Sequence, residues 1–262
     1  MKEKRILLKF LFISGTLKFN FIYCGFMDIL IEIRKELRKN IDKKYKKTVQ
    51  GFFKREIKLY GVRSIIVKKI SKKYYKELML KKYNKKEIFK LCENLLKTNI
   101  MEEASIAFSW MYNLKEEYTK SDFKIFENII KKYVNNWAKC DDFCCHTLGY
   151  FIYKNPKYIK NLKKWAKDKN MWLRRASAVS LIYPVRKDKK FLKSIFEISD
   201  ILLQDKEDLV QKGYGWALKV GADTNQKQVF NYVMKNKHKM PRTALRYAIE
   251  KMPKQLKGKA MQ

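Results

Sequence analysis

From Met27 onward, apolar residues recur at spacings of three and four, in blocks of roughly 12–18 residues separated by short polar breaks. DILIEIRKELRKN, IIVKKISKKYYKELML, EIFKLCENLL and KIFENIIKKYV are examples. That period puts the apolar side chains on one stripe of a helix, and no segment alternates long enough to predict a strand. Breaks are expected at Gly61, Asn84, Asn99, Thr119, Asn155–Pro156, Lys169–Asn170, Pro184, Gly221 and Pro241. The pattern predicts an all-α chain, and only nine Gly and four Pro agree with it.

The blocks also resemble one another. Pairs of small residues two apart recur as Ala107/Ser109, Thr147/Gly149, Ala176/Ala178 and Gly213/Gly215, each followed by a bulky residue: Trp110, Tyr150, Val179 and Trp216. Positions i and i+2 do not share a stripe, so these pairs mark helices approached closely from two sides. This predicts an α-solenoid of irregular HEAT-like helical hairpin repeats, with an ordinary helical bundle as the alternative. The residues just before the last three pairs, His146, Arg175 and Lys212, should then share a face. Residues 101–130 carry three basic and six acidic residues, which places that hairpin's surface away from an anionic ligand or marks it as merely solvated.

Charge sharpens the picture. The chain has 61 Lys+Arg against 26 Asp+Glu, a net +35 spread over both halves. A cationic body of this size suits a polyanion, although the dominance of Lys beside many Ile, Asn and Tyr is also the bias of an AT-rich genome. The ten Arg carry more information, because each offers a rigid fork for phosphate. The five cysteines, without a CxxC pair, predict free thiols in a reducing cytoplasm, and no metal site is expected. Residues 1–26 have the outline of a signal peptide, but Lys9 and Lys18 interrupt the apolar run and no stretch is long enough for a membrane span. Residues 1–26 are taken as a disordered or mis-started extension, and residues 27–262 as a single domain.

A Walker A loop, a dinucleotide-binding glycine fingerprint and an HExxH motif are all missing, and two His leave little room for histidine catalysis. What remains is carboxylate chemistry among aromatics and cations. In NWAKCDDF, Trp137 and Asp141 are four residues apart and share a helix face. The plain alternative makes Trp137 core and Asp141 or Asp142 a helix cap. WLRRASAVSLI sets Trp172 beside Arg174 and Arg175, LVQKGYGWALK carries Lys212 and Trp216, and PRTALRYAIE carries Arg242 and Arg246 after Pro241.

These four segments, in this order and spacing, resemble the AlkD-type family of DNA alkylation repair glycosylases, and FFKREIKLYGVRS, from Phe52 to Ser64, resembles the family's N-terminal phosphate-side motif. The resemblance covers roughly residues 30–255. It implies a solenoid gripping double-stranded DNA in a concave basic groove, as a monomer without cofactor or membrane, and excising N3- or N7-alkylated purines. By position it implies Asp141 as catalytic carboxylate, Trp137 and Trp216 as aromatic walls and Arg175 as a phosphate clamp. Phe52 stands where the family often has Tyr, keeping the ring but not its hydroxyl. Lys54, Arg63, Arg174, Lys212, Arg242 and Arg246 would contact the DNA backbone. A non-catalytic relative binding branched or damaged DNA is the alternative.

Overall fold

The computed structural model describes residues 16–262, with side chains from residue 28 onward. Every regular element among them is helical. The chain divides into two compact units, one ending at Trp110 and one spanning Met111–Gln262. The expectation for residues 1–26 lies outside the described residues up to residue 15. For 16–26 only the helical backbone is described.

The first unit contains α1 (Thr16–Lys39), α2 (Lys43–Gln50), α3 (Ser64–Leu80), α4 (Lys85–Lys97) and most of α5 (Met101–Asn113). α1 packs on α3 and α4 through the stripe its spacing defines, with Ile33, Leu37, Leu78, Ile88 and Leu91 fully buried. Asn84 starts α4 with a reciprocal cap: its side chain accepts from Glu87 N (3.1 Å) and Glu87 accepts from Asn84 N (2.8 Å). The indole of Trp110 donates to the Ser71 carbonyl at 3.0 Å, so its bulk is core.

Loop 51–63 carries Phe52, Lys54 and Arg63 and is fixed from below. Gly61 adopts φ +91°, and a Cβ there would lie 2.5 Å from the Lys46 Cβ. Glu102 accepts from the backbone N–H groups of Tyr60 (3.0 Å), Gly61 (2.7 Å) and Val62 (3.0 Å). Glu103, also buried, takes Arg34 through both oxygens and the Tyr60 hydroxyl at 2.8 Å. Half of the acidic count of residues 101–130 has a different cause from the one expected: Glu102, Glu103 and Asp122 are buried and bonded, whereas Glu116 and Glu117 are exposed and Glu127 is half-buried. Glu102→Ala should cost at least about 2 kcal/mol in urea unfolding, because it strands buried donors. Wild-type stability in that variant would mean the loop is held by other contacts.

The second unit contains α6 (Asp122–Tyr133), α7 (Trp137–Phe143), a π-helical turn (Cys144–Leu148), α8 (Gly149–Lys154), α9 (Ile159–Trp165), α10 (Met171–Val179), α11 (Ile182–Lys187), α12 (Leu192–Leu202), α13 (Asp208–Asn236), α14 (Arg242–Ile249) and α15 (Lys254–Met261). Successive helices stack as hairpins, and α10 is central, touching α6, α7, α9, α12 and α13. Aromatics fill the seams: Phe123 stacks on Trp165 (5.1 Å between centroids) and on Phe151 (5.8 Å).

The small residues lie where helices meet. A Cβ on Gly213 would touch Arg175 and Val179 of α10, whereas one on Gly215 would lie 2.8 Å from the Ala244 carbonyl of α14. One helix is thus approached from two sides, as the spacing of two requires. Two expected breaks fall elsewhere. Pro184 sits in the first turn of α11, where its missing N–H costs nothing. Gly221 lies inside α13, and helical geometry fails instead at Asn225 (φ −155°, ψ 85°), whose side chain caps the next turn at Gln228 N. No described helix is long and apolar enough to cross a membrane.

Candidate active site

Asn136 begins the site. In extended conformation (φ −151°), its side chain accepts from Lys139 N at 3.0 Å and starts α7 with Trp137 as its first helical residue. Asp141 follows one turn later on the same face. The alternative in which Asp141 caps a helix does not fit: it lies within α7, and Asn136 is the cap.

Asp141 meets Arg175 of α10 through both oxygens, Nε–Oδ1 at 2.9 Å and Nη2–Oδ2 at 2.7 Å. The third guanidinium nitrogen, Nη1, donates to the Leu209 carbonyl in the first turn of α13. One arginine therefore ties α7, α10 and α13 together. It can do so because Gly213, one turn beyond Leu209, leaves room: a Cβ there would sit 3.1 Å from the Arg175 Cγ and 3.4 Å from Nη1. Trp216 is three residues further on, on the same side of α13. Trp137 and Trp216 are both half-buried, whereas Trp110 and Trp165 are core.

The side chains of Arg175 and Asp141 are only 5% and 17% exposed. Burial pushes the Asp141 carboxyl above its ordinary value, with the guanidinium opposing the shift. Arginine does not give up its proton, so its fixed positive charge favours the ionised carboxylate against the burial. Elsewhere on α7, burial lowers the Lys139 ammonium to about 8, and its Nζ donates to Asn135 Oδ1 at 3.3 Å. Among the described residues no group of three or more His, Cys, Asp or Glu is placed to hold a metal ion.

Two residues expected at the DNA backbone are engaged within the protein. Arg175 faces inward onto Asp141 and Leu209, with three of its five N–H groups engaged there, and it does not share an exposed face with His146, which is exposed, or Lys212, which is half-buried. Arg174 binds Asp205 through both oxygens (2.6 and 3.3 Å) and the carbonyls of Asp168 and Lys169 (3.0 Å each). It staples two interhelical turns. Arg174→Gln should therefore cost about 1.5–3 kcal/mol of stability in urea unfolding and change DNA affinity little. Lost affinity at unchanged stability would restore the phosphate role.

Lys212 pairs with Asp208 at 2.8 Å. Arg242 and Arg246 are exposed one turn apart on α14, with Arg242 also reaching the Met261 carbonyl at 3.4 Å. In the first unit Phe52 is 70% exposed, Lys54 is exposed, and Arg63 binds Asp42 (2.9 Å) while lying 5.2 Å over the Tyr45 ring. Asp205, the Leu209 carbonyl and the role of Gly213 had no separate sequence signal, although Gly213 stood out as small.

Comparison with known proteins now bears on this arrangement. A family described as DNA alkylation repair enzyme matches residues 33–252, most of the chain. The chain belongs to the DNA alkylation repair enzyme family. All the residues just described, from Phe52 to Arg246, fall within the matched span. The fold is also that of a solved structure described as a predicted DNA alkylation repair enzyme from Enterococcus faecalis, with TM-score 0.72 at 14% identity, covering 82% of this chain and 98% of the other. No curated protein matches in sequence.

Proposed function

We propose that this DNA alkylation repair family member is a monofunctional glycosylase that hydrolyses the N-glycosidic bond of cationic N3- and N7-alkylated purines in double-stranded DNA. The observation that carries the reading is the Asp141 carboxylate, held through both oxygens by a buried arginine in a chain of net charge +35; helical spacing puts the half-buried Trp137 on the face of Asp141 and the half-buried Trp216 on the Gly213 side of α13. Alkylation at N3 or N7 gives the purine a formal positive charge, so it departs with the bonding electrons without prior protonation. The sugar left behind is oxocarbenium-like and needs a negative charge near C1′.

Asp141 supplies that charge and accepts a proton from the water that adds to C1′. Trp137 and Trp216 favour the cationic base through their faces, on the order of 0.5–2 kcal/mol each. Arg175 is a positioning residue: its fork fixes both carboxylate oxygens and leaves the lone pairs on their outer side for the sugar and water. Arg242, Arg246 and Lys212 contact the DNA backbone in this unit. Phe52, Lys54 and Arg63 are DNA-contacting residues of the first unit, taken by itself. The reaction needs no cofactor, and the protein acts as a monomer.

The test is release of free base, followed by chromatography, from duplexes containing 7-methylguanine or 3-methyladenine, with uracil as control. Release of both methylpurines and not of uracil is expected. Efficient uracil excision would contradict selection by lesion charge, and no release of methylated or bulkier adducts despite tight DNA binding would leave the non-catalytic binder.

A further inference from the structure

The helical run that carries Asp141 continues past the site, from α7 through the π turn into α8. Beyond Asp141 it presents His146, Tyr150, Tyr153 and Lys154. The π turn closes with Gly149 N donating to the Cys144 carbonyl, five residues back. In the same way α10, which carries Arg175, leads into α11 with Tyr183, Arg186 and Lys187. α8 packs directly on α11, because Gly149 lets the Tyr183 Cβ approach to where its own Cβ would be. The two helical runs therefore hold Asp141 and Arg175 at one end and these aromatics and cations at the other.

The rings form a connected strip. His146 meets Tyr112 edge-on at 5.6 Å, Tyr150 meets Tyr183 at 5.9 Å, and Tyr183 meets Tyr153 at 6.0 Å. Cations lie over them: Lys115 is 4.9 Å above Tyr112, Lys154 is 5.6 Å above Tyr150, and Lys187 is 5.7 Å above Tyr183. His146 donates from Nδ1 to the Asp142 carbonyl at 2.7 Å, with the Asp142 carboxylate 3.3 Å away, which favours its charged form. Glu116 accepts the Tyr150 hydroxyl at 2.7 Å, so a carboxylate fixes the ring beneath rather than facing a ligand alone. His146, Lys154, Arg186 and Lys187 are exposed, the rings of Tyr112, Tyr153 and Tyr183 are half-buried, and Tyr150 is buried beneath them.

Such a surface suits an anionic chain with flat sugar and base surfaces between its charges. Its distance from the site selects which chain. At 1.5 Å per residue, the run from Asp141 to Lys154 spans about 20 Å, with His146 about 7 Å along it. The grooves of duplex DNA are about 6 and 12 Å wide. A duplex with its damaged sugar at Asp141 and its groove crossing the α7–α8 run would bring the backbone on the far side of that groove over the strip.

We propose that the strip formed by Tyr112, His146, Tyr153, Lys154, Tyr183 and Arg186–Lys187 is the docking track for the sugar–phosphate backbone of the strand opposite the lesion. The proposal rests on the glycosylase reading for the placement of the damaged sugar at Asp141.

The test reverses two exposed charges, Arg186→Glu with Lys187→Glu, after confirming that the variant melts like wild type. Affinity for a duplex containing 7-methylguanine should fall about tenfold or more, while affinity for the lesion-bearing strand alone should change less than about twofold. Neutral methylphosphonate linkages in the opposite strand should weaken the wild type and leave the variant unchanged. Equal losses on duplex and single strand, or a wild type indifferent to opposite-strand methylphosphonates, would overturn the track. Absence of base release by a wild type that shows these binding differences would overturn the glycosylase reading alone. A wild type that does not bind duplex DNA would overturn both.

Discussion

Asp141→Asn should lower single-turnover release of 7-methylguanine from duplex DNA by at least about 10²–10³-fold while duplex affinity stays constant or rises. The substitution keeps the side chain's size and one acceptor oxygen for Arg175, but it sets an amide NH2 against a guanidinium N–H and leaves the buried arginine without its counter-charge, so the variant should also lose stability and is compared with wild type at a temperature where both are folded. It removes the negative charge that develops its full value only when the glycosidic bond lengthens and the sugar turns cationic. In the ground state that carboxylate faces a polyanion, and losing it removes a repulsion. Rate and affinity should therefore move in opposite directions, which a merely unfolded variant cannot produce.

The pH dependence follows from the same burial. Because the Asp141 carboxyl lies above its ordinary value, protonation should extinguish activity at a higher pH than an exposed aspartate would set. The acid limb should be missing from the residual activity of Asp141→Asn. Wild-type release by a folded Asp141→Asn chain would remove this carboxylate from the mechanism.

Much of this site is written in short-range spacing, and what is not depends on partners far along the chain. Trp137 and Asp141 are neighbours because they are one helical turn apart, and Asn136 is an ordinary cap. Arg174 and Arg175 are adjacent, chemically identical and turned about 100° apart on α10. Nothing local says which one meets Asp141. The choice is made by Asp205 on one side and by the Leu209 carbonyl and Gly213 notch on the other, each more than 30 residues away.

Glu102 and Glu103 illustrate the same limit. Their charge reads as surface, and only the three N–H groups of loop 60–62 and the Arg34 fork give it a buried purpose. The end of α13's first half was missed because Asn225 departs from the helix while Gly221, the weaker helix former, is held by packing on Leu192.

Arg175→Met should cost about 3–5 kcal/mol in denaturant unfolding and also lower base release, because it leaves the Asp141 carboxylate part-buried without a counter-charge and the Leu209 carbonyl without its donor. Met fills much the same space, so the loss is electrostatic rather than a cavity. Two readouts separate this positioning role from a phosphate clamp. A clamp would lose duplex affinity and salt dependence at unchanged stability, since its partner is the DNA. A positioning residue loses stability and the single-turnover rate, with affinity nearly constant.

Combining the two substitutions sharpens the distinction. In Asp141→Asn with Arg175→Met the stranded charge is gone, so the double variant should be more stable than Arg175→Met alone and the coupling should reach about 2–3 kcal/mol. Additive losses would mean that Asp141 and Arg175 act independently. Since Arg175 anchors α7 to both α10 and α13, coupling of that size would make the catalytic geometry a product of the helix stack itself. Loosening any one of the three helices should then reach the carboxylate before it reaches the DNA contacts.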